Sequence, residues 1–472
     1  MKLSIVGLGK LGSPMAAVMV HKGHSVIGVD VNPAYVAAIQ EGRAPVNEPD
    51  LAAMIAANRE RLSATADYRA AVLETDATFI MVPTPSESGG GFSMKYVLSA
   101  AQQIGAALRD KPAWHLVVLS STVMPGCTGG ELLPALEAHS GKKCGRDFGL
   151  CYNPEFIALG SVIRDMLNPD MILIGESDSH SGELLEGLYK GVCDSNPRIQ
   201  RMNYVNAELT KLSVNTFVTT KISYANMLAQ VCERLPGADA DVVTSAIGCD
   251  SRIGQKYLKG ALGYGGPCFP RDNVAFSALA RSTGAPALLA EATDQLNRRQ
   301  VPRLAEIIRT RLPEGGTVGI LGLSYKPHTE VIEESQGLEL AKHLASTGFK
   351  VVVYDPAAME NVKRQLGGAI TYAPSAADCA TRADVLVITT AWPEFKRLTP
   401  ADLKSGERRP AIIDCWRVLP ADLFADLTDY VRLGYGGAET GTGGQSKAAG
   451  TGADSGNSSP RAAARQFSVG TD

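Results

Sequence analysis

The sequence predicts an α/β protein: two doubly wound, parallel-sheet units in series, joined by a long central helix and followed by a disordered tail. Three observations carry this reading. An apolar strand at the N-terminus runs straight into a glycine-rich turn and a helix. Residues 207–235 keep apolar spacing of helical period with no glycine or proline. From about Gly315, short apolar strands again alternate with helices.

The first strand is read at Lys2 to Val6, followed by Gly7-Leu8-Gly9-Lys10-Leu11-Gly12 and a helical run from Ser13 to His21. A second strand, Ser25 to Val29, ends in Asp30, eighteen residues after Gly12. Strand, glycine turn, helix and acid form the dinucleotide-binding fingerprint of a Rossmann-type unit. Gly7 makes the tight turn, Gly9 lets a pyrophosphate approach, and Gly12 lets the helix pack on the sheet. Phosphates would meet the N–H groups of the helix N-terminus. Asp30 would accept hydrogen bonds from ribose hydroxyls, which favours NAD over NADP, and no arginine follows directly to welcome a 2′-phosphate.

Further strands follow. Ala77 to Val82 ends in Pro83-Thr84-Pro85, Leu116 to Leu119 ends in Ser120-Ser121-Thr122, and Gly149 to Tyr152 runs into Asn153-Pro154-Glu155. Small polar residues and prolines at strand ends suit the carboxyl edge of a parallel sheet, where ligands of such folds bind. In the long helix, Lys211 and Asn215 are four residues apart and share a face, and Leu212, Val214, Phe217 and Val218 are expected to surround them. An asparagine inside a helix needs a reason; a lysine and an amide aimed at one point could stabilise an oxyanion.

The second unit is read from the strand Thr317 to Leu321, a helix at Glu334 to Thr347, the strand Val351 to Tyr354 ending in Asp355, and strands Val385 to Thr389 and Ala411 to Ile413. It lacks the full glycine fingerprint, so it is expected to be a second nucleotide site rather than a second NAD site. The domain limits read from these patterns are 1–205, 206–300 and 301–435. Residues 436–472 are rich in Gly, Ser, Ala and Thr and are expected to be disordered.

Composition sets limits on the partners. The 472 residues carry 46 Lys and Arg against 49 Asp and Glu, a formal net charge of −3 that attracts neither nucleic acid nor membrane. No apolar run is long enough to span a bilayer, and Met1-Lys2 leads directly into the first strand, which leaves no room for a signal peptide. The nine cysteines are odd in number, scattered, and contain no CxxC pair; that fits reduced thiols and a cytoplasmic location. The seven histidines show no metal-ligand spacing, so no structural metal is expected.

Residues 263–272 read Gly-Tyr-Gly-Gly-Pro-Cys-Phe-Pro-Arg-Asp. Glycines allow close backbone approach to a ligand. A thiol on such a loop, Cys268, can attack an electrophilic carbon, and Asp272 can handle protons or position a water. The competing reading is a buried structural cysteine beside a turn.

Together these blocks resemble the UDP-glucose/GDP-mannose dehydrogenase family. The resemblance covers nearly all of residues 1–430 through Gly7–Gly12 with Asp30, Val82–Pro85, Ser121–Val123, Asn153–Phe156, Lys211 to Asn215, Asp250–Gly254, Gly265–Cys268, Tyr325–Pro327 and Asp414–Arg417. It implies two Rossmann-type domains joined by a long helix and a helical dimerisation region, and oxidation of a sugar nucleotide's C6 hydroxyl to a carboxylate with two NAD⁺ in succession. In that chemistry Cys268 adds to the aldehyde as a thiohemiacetal, which loses a second hydride to give a thioester that is then hydrolysed. Lys211 and Asn215 would steady the oxyanion, Asp272, Thr122 and a water would relay protons, and Glu155 would assist hydrolysis. Lys211 beside Cys268 should lower the thiol pKa.

By the same resemblance NAD would meet Gly7, Gly9, Lys10, Leu11, Gly12, Asp30, Tyr35, Pro83, Thr84, Ser121, Thr122 and Arg271. The nucleotide sugar would meet Glu155, Phe156, Ile157, Leu159, Lys211, Asn215, Lys259, Tyr264, Gly265, Lys326 and Arg417. Arg252 would reach into the neighbouring subunit's site, which makes a homodimer or a higher homo-oligomer part of the active unit. The chain departs from the family pattern at Glu333, where an arginine that touches the cofactor is usual, and at Leu159, where a glutamate is frequent. Pro267 and Arg271 replace a serine and a lysine, and Tyr35 replaces a basic residue. The stretch Arg252–Lys259 favours UDP-glucose; GDP-mannose and UDP-N-acetylhexosamines stay open. So do a two-electron hydroxyacid-type NAD dehydrogenase and a catalytically silent sugar-nucleotide sensor.

Overall fold

The computed structural model describes residues 1–406 and 409–437. The expected disordered tail lies outside the described residues except for Gly436 and Gly437. These two belong to the packed chain: Gly436 N–H bonds the Ala238 carbonyl at 2.9 Å and Gly237 N–H bonds the Gly436 carbonyl at 3.1 Å. The packed backbone thus extends two residues beyond the expected limit, because the chain end pairs with the turn at 235–239.

The first sheet holds β1 (Lys2–Val6), β2 (Ser25–Val29), β3 (Leu62–Thr65), β4 (Ala77–Ile80), β5 (His115–Leu119), β6 (Phe148–Tyr152), β7 (Met171–Glu176) and β8 (Arg198–Met202), in the order β3-β2-β1-β4-β5-β6-β7-β8. The first six are parallel in the doubly wound order that places ligands at the carboxyl edge. The β6–β7 pair is antiparallel and appends a parallel β7–β8 pair. The continuous apolar runs of β1, β4, β5, β6 and β7 are buried on both faces, as strands between helix layers must be.

The helix α1 (Gly12–His21) follows β1, starting one residue earlier than the sequence suggests. The central helix α2 (Tyr204–Cys232) has 29 residues, about 43 Å of axis. Its amphipathicity is inverted. The buried face carries Glu208, Lys211, Asn215, Thr219 and Asn226, while Val205, Leu209, Phe217, Tyr224, Met227 and Val231 are exposed. Phe217, expected beside Lys211 and Asn215, points away from them and is 66% exposed. Periodicity defines two faces but does not say which one meets the protein's own core. The helix α3 (Phe269–Ser282) packs against α2 and starts at Cys268, its N-cap.

The second sheet holds β9 (Thr317–Leu321), β10 (Lys350–Tyr354), β11 (Thr371–Tyr372), β12 (Val385–Ile388), β13 (Ala411–Asp414) and β14 (Asp429–Arg432), in the order β11-β10-β9-β12-β13-β14, all parallel. It repeats the doubly wound order of the first sheet. The helix α4 (Gln336–Ser346) starts two residues later than expected, because Glu334 adopts a left-handed φ of 51° that ends the preceding loop.

Candidate active site

The glycine turn has the geometry a dinucleotide requires. Gly7 has φ of +98°, and a Cβ there would stand 2.5 Å from the Met81 carbonyl oxygen; a Cβ on Gly12 would stand 1.8 Å from the Gly7 carbonyl oxygen. Gly9 has open space above it. The carboxylate of Asp30 closes the turn, accepting the N–H of Leu8 at 2.6 Å and of Asn32 at 2.7 Å, and each oxygen keeps a lone pair for a ribose hydroxyl. Lys10 is exposed and Leu11 half-buried at the mouth, with Tyr35 on the first turn of the helix Pro33–Gln40. The cradle fits NAD.

The second sheet repeats this turn and closes it. A Cβ on Gly337 would stand 2.1 Å from the Gly322 carbonyl oxygen, as at Gly12 and Gly7. Its acid, Asp355, is 1% exposed and accepts from the N–H groups of Leu323, Ser324, Ala357 and Ala358, the Ser324 hydroxyl and the Trp392 indole. These six donors leave no room for a ribose at Asp355.

Lys211, Asn215, Cys268 and Asp272 come together at the α2–α3 contact. Asn215 Nδ2 donates to Asp272 Oδ2 at 2.6 Å, and Arg271 Nε lies 3.2 Å from Asp272 Oδ1. Asp272 is 1% exposed and its N–H bonds the Cys268 carbonyl at 2.8 Å, so one helical turn fixes acid and thiol together. The Lys211 ammonium donates to the Glu155 carbonyl and stands 4.6 Å over the Phe156 ring. Burial lowers its pKa, against the opposing pull of Asp272, Cys268 and Glu155.

Lys211 pulls the Cys268 thiol pKa down, as expected, but does not set its direction. Loss of solvent around the thiol and the neighbouring Asp272 carboxylate outweigh Lys211 and Arg271, and the net shift is upward. The side chain is still exposed at the surface of the site.

The cysteine loop is held by the second sheet's loop. A Cβ on Gly266 would meet the Tyr325 ring at 2.6 Å and one on Gly265 the Glu334 carbonyl oxygen at 2.3 Å, while Gly266 N–H bonds the Glu333 carbonyl at 2.9 Å. The close approach that these glycines allow is to the protein itself. Asn297 braces the Tyr264 peptide on both sides. Beside the loop lies a cleft of about 690 Å³ bordered by residues 86–90, Arg271, Arg298, Glu333 and Lys342. Glu333 is exposed and borders this cleft.

Pro83, Thr84, Ser121, Thr122 and Arg271 also meet. The Thr84 hydroxyl donates to the Thr122 carbonyl at 2.7 Å, that of Ser121 to the Val82 carbonyl at 2.6 Å, and Arg271 Nη1 to the Thr84 carbonyl at 3.1 Å. The carboxyl of Glu155 points toward Tyr189, whose hydroxyl is 3.5 Å away, in a narrow apolar niche with Met15, Val18 and Met19 of α1. Burial pushes its pKa up to about 7, with Lys211 and Tyr189 opposing. Ile157 and Leu159 pack on the apolar cluster under α1, which suits leucine at 159. Burial lowers the pKa of Lys326, with Asp165 and Glu48 nearby; Lys259 is exposed. Arg252 is exposed and paired with Asp250.

Arg417, expected to meet the nucleotide sugar, is engaged inside the protein. Its N–H groups go to both carboxylate oxygens of Asp241 and to the carbonyls of Gly260, Leu433 and Cys415. A guanidinium has five donors, and all five are used inside the protein. Arg417 ties the Gly260 carbonyl to Asp241 and Leu433.

Two carboxylates of the site region escaped the sequence reading. Glu208 accepts the N–H groups of Gly126 and Thr128. Glu48 accepts those of Gly160 and Val162. Glu208 left a signal, an acid three residues before Lys211 on one helix face; Glu48 left none. Among the described residues no group of three or more His, Cys, Asp or Glu is placed to hold a metal, and no helix is long and apolar enough to cross a membrane.

Comparison with known proteins agrees with this geometry. Three family models match in order: the NAD binding domain of the UDP-glucose/GDP-mannose dehydrogenase family over residues 1–193, its central domain over 205–299, and its UDP binding domain over 319–421. The chain is 38% identical to a UDP-glucose 6-dehydrogenase of Haloferax volcanii, over 89% of this chain and 97% of that one. It is 33% identical to a GDP-mannose 6-dehydrogenase of Azotobacter vinelandii, over 89% and 97%. Among solved structures, a UDP-glucose dehydrogenase from Pyrobaculum islandicum superposes with a TM-score of 0.83 at 36% identity, covering 92% of this chain and 98% of that one. With NAD as its cofactor and a nucleotide sugar as its substrate class, the chain belongs to the UDP-glucose/GDP-mannose dehydrogenase family.

Proposed function

We propose that the protein oxidises UDP-glucose at C6 to UDP-glucuronate, forming two NADH per sugar and using one water. The observation that carries this reading is the joining of Cys268, Asp272, Asn215 and Lys211 by one helix contact. A two-electron dehydrogenase has no use for the thiol. NAD⁺ held by the Gly7–Gly12 turn and Asp30 would supply the hydride acceptor for each oxidation.

The chain's own groups do the rest. The proton of the C6 hydroxyl leaves through a water held by Asp272 and Thr122. Cys268 then adds to the aldehyde carbon, and the ammonium of Lys211 and the amide of Asn215 stabilise the oxyanion. Because burial and Asp272 raise the thiol pKa, the proton lost on addition needs an acceptor, which Asp272 or its water provides. After the second oxidation the thioester is cut by water, with Glu155 as the base; its pKa of about 7 suits that task near neutrality, and its carboxyl must turn from Tyr189 to reach the carbon.

UDP-glucose is favoured over GDP-mannose by the greater similarity to relatives bearing that name and by Arg252–Lys259. The exposed apolar face of α2 supports a homodimer, in which the exposed Arg252 would exchange its Asp250 partner for the second copy's site. The nine unpaired cysteines support a cytoplasmic location. Replacing Cys268 by serine tests the chemistry: net formation of acid should stop while nucleotide-sugar binding persists, and full turnover in that variant would remove Cys268 from the mechanism.

A further inference from the structure

We propose that Glu208 is a positioning residue of the reaction, fixing the loop that carries Thr122 to the helix that carries Lys211 and Asn215. The proposal rests on the reading of Thr122 as part of the proton relay.

Glu208 is completely buried, and a buried carboxylate must be satisfied by donors. Its Oε2 accepts the N–H of Gly126 at 2.6 Å and its Oε1 that of Thr128 at 2.8 Å, both charge-assisted bonds of the stronger kind. The segment they hold leaves β5 at Leu119 and carries Ser121 and Thr122. Its near half is tied to the neighbouring strand end, by Ser120 N–H to the Ile80 carbonyl at 3.0 Å, Ser121 to Val82 and Thr84 to Thr122. Its far half turns at Gly126, φ +99°, where Glu208 holds it.

Glu208, Lys211 and Asn215 lie at i, i+3 and i+7, on one face of α2. The axial offsets are about 4.5 Å from Glu208 to Lys211 and about 10.5 Å to Asn215. A rigid helix thus sets the relay loop and the oxyanion-stabilising groups at fixed spacing. A carboxylate that merely capped the short turn after Cys127 would have no reason to act through Thr122, and kinetics separates the two roles.

The test compares Glu208→Gln, Thr122→Ala and the double variant in the full-length protein, with NAD⁺ and UDP-glucose. Gln keeps the volume but turns one acceptor into a donor facing an N–H group. Each single variant should lower kcat about tenfold or more and leave the UDP-glucose KM within about threefold. The double variant should be no slower than Thr122→Ala by more than about twofold. Multiplying effects in the double variant, or an unchanged kcat in Glu208→Gln, would overturn the proposal. An unchanged kcat in Thr122→Ala would overturn it together with the relay reading, which is a distinguishable failure. If the Gln variant does not fold, Glu208→Asp should retain part of kcat with an unaltered KM; a loss of kcat and KM together there would mark a purely structural cap.

Discussion

Replacing Glu155 by glutamine isolates the one carboxyl of the site whose pKa is set near neutrality. Burial in the niche with Met15, Val18 and Met19 raises it from its ordinary value of 4.5 to about 7. In the folded protein the group stays protonated up to about pH 7, whereas in the unfolded chain it ionises near 4.5. The folded state therefore binds more protons between these values, and stability falls as pH rises through that window. Ionising the group costs the fold at most about 3 kcal/mol; the partial exposure of Glu155 makes this an upper bound. The neutral amide of the variant carries no such cost. Urea unfolding of both proteins at pH 5 and pH 8 measures it. Relative to the wild type, Glu155→Gln should gain about 2 to 3 kcal/mol on going from pH 5 to pH 8. The wild type's kcat should show an acidic limb near pH 7, and the same variant should lack it. A constant stability difference across that range would refute the burial argument.

Two further predictions follow from the geometry. Asp272→Asn removes the negative neighbour that helps raise the Cys268 pKa; alkylation of Cys268 by iodoacetamide at pH 7.5 should speed up severalfold, and an unchanged or slower rate would contradict the electrostatic account. Phe217→Asp places a charge on the exposed apolar face of α2 and should shift the protein to monomer in analytical ultracentrifugation without changing its circular dichroism; an unaffected dimer would move the interface elsewhere.

The parts legible in the sequence are those fixed by local chemistry. Lys2–Val6, the glycine turn, Ser25–Val29 and Asp30 were readable because strand length, turn sterics and ribose recognition all act within thirty residues. Lys211 with Asn215, and Cys268 with Asp272, share faces because each pair is four residues apart. Tertiary balances were not legible. The thiol of Cys268 is raised because burial and Asp272 together outweigh Lys211, a sum no motif displays. Arg417 stands in a substrate-binding block by resemblance, yet Asp241, Gly260 and Leu433 use up its donors from distant parts of the chain. Phe217 obeys helical spacing and still faces outward, since spacing cannot say which face is covered. Glu48 reaches Gly160 across 112 positions, and nothing local in its neighbourhood announces that contact.

The central claim is a four-electron oxidation through Cys268. The most direct test is NADH formed per mole of limiting substrate, with purified protein, excess NAD⁺, and UDP-glucose, GDP-mannose and UDP-N-acetylhexosamines offered in turn. Four-electron oxidation gives two NADH per UDP-glucose, with UDP-glucuronate as the product; one NADH with an accumulating aldehyde would contradict it.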